Sequence, residues 1–120
     1  MLMQTVGNTT ELASYGKNYS EPRLWEKLAQ NVAKIGKKTT WYVLVLYYVL
    51  KSGTVPAKDK AIILGALGYL ILPVDLIPDA IPLLGFTDDA AAIKMAYDAV
   101  KRNVTSDIEN KANQKLSQWF

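Results

Sequence analysis

The chain has no cysteine and no histidine among its 120 residues. The first absence removes disulfides, thiolate nucleophiles and thiolate metal sites, and is the usage expected of a reducing compartment. The second excludes more. Ser–His and Cys–His catalysis, imidazole zinc sites and histidine pH switches all need a side chain that this protein does not carry. A run of roughly 20 consecutive apolar residues, which a bilayer-spanning helix requires, is missing too. No basic–apolar–small leader pattern opens the chain: Met1 to Ser20 is polar and rich in Asn, Thr, Ser and Gly, so residues 1–19 read as a flexible N-terminal arm.

What is present is the balance of a folded protein, with 50% hydrophobic and 21% charged residues, and the length suits a single domain over residues 20–120. The net charge of +3 is unevenly placed. Residues 1–60 carry nine Lys or Arg against four acids, and residues 61–120 five against seven. A basic half favours anionic headgroups or phosphate, although this excess is modest.

Hydrophobic spacing predicts an all-α fold, a small bundle of four to five helices. Ser20 can cap a first helix with Pro22 in its first turn, and Leu24, Leu28, Val32 and Ile35 recur at helical spacing up to Gly36. The run Trp41–Leu50 is apolar on every side. Its β-branched and aromatic residues would also suit a strand, but its neighbours are helical and no partner strand is visible, so it reads as a buried helix. Pro56 opens a third helix, apolar all round from Ala61 to Leu72, in which Gly65 and Gly68 admit close approach of another backbone. Pro73, Pro78 and Pro82 then forbid a continuous helix and make the stretch a hinge, with room for one short helical turn between Asp75 and Ile81. Gly85 and Thr87 precede a fourth helix with Asp89, Ile93, Ala96 or Tyr97, Val100 and Val104 on one stripe. Lys94, Asp98, Lys101 and Arg102 read as solvated ion pairs on its other side. Ser106 to Glu109 has the form of a capping box for a fifth helix ending near Trp119.

Two segments carry the functional readings. Lys34, Lys37 and Lys38 precede Trp41 and Tyr42, the order of a basic collar followed by an interfacial aromatic belt, which suits a membrane surface. The alternative is equally physical: lysines offset the dipole at a helix C-terminus, and aromatic residues fill cores. The second segment is the hinge, where Asp75, Asp79, Asp88 and Asp89 lie in an otherwise apolar strip. These four could offer oxygen ligands to Mg²⁺ or Ca²⁺, and so support a metal-dependent hydrolase; as caps and first-turn acids they would fix the turn instead. Capping is the favoured reading. Neither a helix-turn-helix nor a stacking motif points to nucleic acid.

The pattern Pro73-x-Asp75-Leu76-Ile77-Pro78-Asp79, followed by Gly85-x-x-Asp88-Asp89, resembles the signature of the YkvA-like family, with the resemblance running from about Val43 to Lys101. That resemblance implies a bacterial α-helical hairpin domain, often membrane-associated, with no established activity to carry over to the aspartates. Taken together, the expectation is a non-enzymatic module that contacts a membrane surface or a partner helix, self-association being compatible with either. Its expected location is the cytoplasm, peripheral or monotopic on the cytoplasmic face of the inner membrane.

Overall fold

Two glycines set the first helix boundaries. Gly36 (φ 93°) and Gly53 (φ 76°) have the positive φ that an L side chain resists, and each ends a helix. In the computed structural model, which describes residues 12–71 and 89–120, five α-helices follow: α1 (Glu21–Ile35), α2 (Lys37–Ser52), α3 (Ala57–Ile71), α4 (Asp89–Val100) and α5 (Ser106–Leu116). Short 3-10 turns cover Ser14–Asn18 and Lys101–Asn103, and the described residues contain no strand. The expected all-α bundle is thus observed. The proline hinge, with Gly85 and Thr87, lies outside the described residues.

Cap chemistry follows the sequence with one displacement. Ser20 occupies the N-cap of α1 with Pro22 in the first turn, although its hydroxyl makes no capping bond. At α5 the cap is Thr105, whose Oγ1 accepts from the Ile108 N–H at 3.2 Å, one residue before the expected capping box.

The two helices that are apolar on all sides form the centre. In α2, residues Val43 to Tyr47 and Val49 are buried; in α3, every residue from Ile62 to Ile71 except Leu64 is buried. Helices α1, α4 and α5 surround them, α1 contributing Leu24 and Leu28, α4 Ala92, Ile93, Ala96 and Val100, and α5 Ile108, Ala112 and Leu116. Each fully buried aliphatic side chain contributes about 1.5–3 kcal/mol relative to exposure. The α2–α3 pair contributes more of the buried apolar side chains than the other described residues together. A strand for Trp41–Leu50 is excluded.

Residues 12–19 depart from the flexible arm. Leu12 is fully buried, and the turn Ser14–Asn18 lies along α3, where a Cβ on Gly65 would collide with the Leu12 carbonyl and one on Gly68 with that of Tyr15. The Tyr15 and Tyr69 rings meet edge to face at 5.1 Å. The glycines expected to admit a neighbouring backbone do so, and that backbone belongs to the N-terminal segment. Among the described residues, the buried Tyr19 hydroxyl has no hydrogen-bond partner. Burial, then the Glu21 charge, raises its pKa.

A second departure closes the hairpin. Arg102 does not join a solvated pair on α4, because that helix ends at Val100 and the following turn aims Arg102 and Asn103 at Asp59 in the first turn of α3. Arg102 Nη2 lies 2.9 Å from both Asp59 oxygens, and Asn103 Nδ2 donates to Oδ2 at 2.7 Å. The start of α3 thus meets the end of α4, so the two helices run antiparallel. Lys94 and Asp98 do form the expected exposed i,i+4 pair at 2.9 Å.

Helix α1 is tied to α2 by Glu21, which accepts from the Tyr47 hydroxyl at 2.7 Å and from Lys51 Nζ at 3.3 Å. Those two hydrogen bonds, Tyr47's first, hold the Glu21 carboxyl below its usual range. Burial, then the bond to Glu21, pushes the Tyr47 phenol up to about 12. A raised folded-state pKa gives stability that is complete below the phenol's ordinary value of 10 and is lost as pH climbs from there to about 12. Chemical denaturation across that window is expected to show a steep fall for the wild type and a shallower one for Tyr47→Phe. Identical slopes would count against the Tyr47–Glu21 bond.

Candidate membrane-facing groove

With only Gly36 between α1 and α2, lysines collect at one corner of the bundle. Lys34 lies in the last turn of α1, and Lys37 and Lys38 open α2. Offsetting the macrodipole accounts for Lys34 alone. Lys37 and Lys38 stand at a helix N-terminus, where the dipole disfavours a cation. Their placement there is not explained by helix stability, and both are exposed.

One turn further along α2, Trp41 and Tyr42 are half-buried against α4 and α5. Trp41 Nε1 donates to Asn113 Oδ1 at 2.7 Å, which fixes the indole. Its ring packs on Tyr42 at 5.4 Å and Tyr97 at 6.0 Å, with Tyr42 and Tyr97 4.7 Å apart. Lys94 Nζ sits 5.9 Å from the Tyr42 ring centre, and its hydrogen bond to Asp98 raises its pKa. The Tyr97 phenol is also pushed up, by burial first and then by the charge of Glu109.

These residues frame an open groove of about 500 Å³, lined by Lys37, Lys38, Trp41, Tyr42, Asn113 and Leu116. A smaller depression continues it past Ser117 to Phe120, a large apolar side chain left 50% exposed. Four of the five residues read as membrane-interface candidates therefore converge, while Lys34 stands outside the lining. The sequence reading missed Asn113, Leu116 and Phe120, for which no local signal exists. Nothing in the spacing ties Asn113 to a tryptophan 72 residues earlier.

The hinge carboxylates are not part of this site. Asp75, Asp79 and Asp88 lie outside the described residues, as does the side chain of Asp89, which opens α4. Among the described residues no three acidic side chains come together to hold a metal ion. No described helix is long and apolar enough to cross a membrane.

The family described as protein of unknown function (DUF1232) matches residues 59–95, from the clamped Asp59 into α4. The chain is also 29% identical, over 75 residues, to the "Uncharacterized membrane protein YkvA" of Bacillus subtilis, an alignment covering 58% of this chain and 71% of that protein. No solved structure matches it. These two similarities support the resemblance to the YkvA-like family of proteins of unknown function, and the span that the family matches begins at Asp59, which closes the hairpin.

Proposed function

We propose that this protein is a non-enzymatic module that docks peripherally on an anionic membrane surface, at the cytoplasmic face, through the groove between α2 and α5. The observation that carries the reading is the convergence of Lys37 and Lys38 with Trp41 and Tyr42 around one open, largely apolar depression. Lysines at a bilayer surface gain about 1 kcal/mol each from anionic lipid. Tryptophan and tyrosine prefer the headgroup level, where an apolar ring and a polar edge are both satisfied. No described helix is long and apolar enough to span, and the contact proposed is with one leaflet. The similarity to a protein named as a membrane protein supports the same reading.

Flotation of the full chain with vesicles of equal parts phosphatidylglycerol and phosphatidylcholine tests it. Binding at low salt that weakens as salt is added, and its loss on pure phosphatidylcholine, are expected. A chain that stays in the soluble fraction with the anionic vesicles at low salt overturns the proposal.

A further inference from the structure

The groove does not end at its aromatic wall. Lys37, Asn113 and Leu116 line both the larger depression, about 500 Å³, and the smaller one, about 240 Å³, so the two meet at these residues. The larger falls within the range of small-ligand clefts, about 300–1,000 Å³. Where the two meet, the polar groups are donors. An indole N–H can only donate, so the Asn113 oxygen faces Trp41 Nε1, and the Asn113 amide nitrogen has no acceptor among the described residues. Lys37 and Lys38 add two exposed ammonium groups. No acidic side chain lines either depression, and Ser117 turns its hydroxyl back onto the Gln114 carbonyl at 2.7 Å. To either side the walls are aromatic, with Trp41 and Tyr42 in one direction and Phe120 in the other.

We infer that this double depression seats one phospholipid molecule, its phosphodiester held at the junction by Lys37, Lys38 and the Asn113 amide, and one acyl chain laid toward Phe120. The inference rests on the membrane-surface reading above and deepens it, from attraction to a charged surface to a site for a single lipid. A phosphodiester carries one negative charge and only acceptor oxygens. That is the complement of two cations and an amide donor with no acidic side chain beside them. Lysine holds phosphate as a point charge, without fixing its direction. The Asn113 amide, itself fixed by the bond to Trp41, supplies the direction. A free phosphate would use the junction and leave the aromatic walls bare, whereas a lipid engages both. A choline head would set a trimethylammonium beside the two lysines, so an uncharged glycerol head fits better.

Titration of the full chain with dihexanoyl-phosphatidylglycerol below its micelle concentration tests the site, read by nuclear magnetic resonance at the Asn113 amide and the Trp41 indole N–H. Saturable binding of a single lipid per chain is expected, with inorganic phosphate and glycerophosphoglycerol about tenfold weaker or more. Asn113→Asp keeps an oxygen for the Trp41 indole and sets a second one where the amide donor stood. It is expected to weaken the short-chain lipid about tenfold. Gln114→Glu makes the same charge change at an exposed position that lines neither depression, and is expected to bind like wild type. Equal losses from the two variants overturn the site, since net charge alone would then account for binding. Inorganic phosphate held as tightly as the lipid overturns the lipid assignment, and so does self-association that shuts the lipid out from Trp41. No saturable binding by a chain that still floats with the anionic vesicles overturns the single-lipid site and leaves the surface reading intact. A chain that binds the short-chain lipid without floating keeps the site and loses the surface reading; one that does neither loses both.

Discussion

Arg102→Met is expected to lower the unfolding free energy by about 3 kcal/mol, which for a chain of this size lowers the melting temperature by about 10 °C. An ion pair between exposed side chains is worth about 0–1 kcal/mol, and the Arg102 side chain is 65% exposed. Its partner decides the matter, since the Asp59 side chain is only 2% exposed. Removing the guanidinium leaves a buried carboxylate with Asn103 as its remaining side-chain donor among the described residues. Removing the carboxylate instead returns Arg102 to solvent, so Asp59→Asn should cost less, about 1–2 kcal/mol. The double variant Arg102→Met/Asp59→Leu, which deletes the buried charge along with its partner, should recover most of the loss. Urea titration of the four proteins tests the order. An Arg102→Met protein within about 1 kcal/mol of wild type would place the clamp among ordinary surface pairs.

The clamp also explains how the hairpin is closed at the end away from the hinge. Asp59 joins the beginning of α3 to the turn after α4, about 43 residues later, at the first residue of the span that the family match covers. A weakened clamp would let the open end of the hairpin fray while the α2–α3 core persists. Loss of cooperativity in Arg102→Met would therefore begin in α4.

Helix boundaries were legible because they depend on single residues acting locally. Gly36 and Gly53 stop helices through their own φ values, and Ser20 with Pro22 starts α1. Burial of Trp41–Leu50 was legible for a related reason: a helix apolar on every side has no face to give to water. Asp59 was not. An acid in a first turn complements the dipole wherever it stands, and only the tertiary fold removes this one from solvent. The N-terminal segment was misjudged because its polarity is real; its seat is made by Gly65 and Gly68, half the chain away. The α5 cap was displaced by one residue because Thr105 and Ser106 offer the same hydroxyl chemistry. At the groove, the order Lys37-Lys38-x-x-Trp41-Tyr42 was readable as one turn of helix, whereas the residues that α5 contributes have no sequence signal at all.

Lys37→Gln/Lys38→Gln is expected to weaken binding to anionic vesicles about 30-fold, since two lysines at about 1 kcal/mol each amount to about 2 kcal/mol. Bulk charge alone would predict some loss from removing any two lysines, so the control must change the net charge equally at another place. Lys58 and Lys60 serve, being exposed at the beginning of α3. That end of the bundle is separated from the groove by the sixteen residues of α2, about 24 Å, well beyond the screening length of about 8–10 Å at physiological salt. Lys58→Gln/Lys60→Gln should therefore leave partitioning nearly unchanged there. Trp41→Ala separates the second half of the attraction: it should weaken binding at high salt as strongly as at low salt, because burial of an indole is not screened. Equal losses from both lysine pairs would mean that net charge, and not this groove, brings the protein to the bilayer. A Trp41→Ala protein that binds like wild type would leave electrostatics as the whole attraction and remove the aromatic anchor from it.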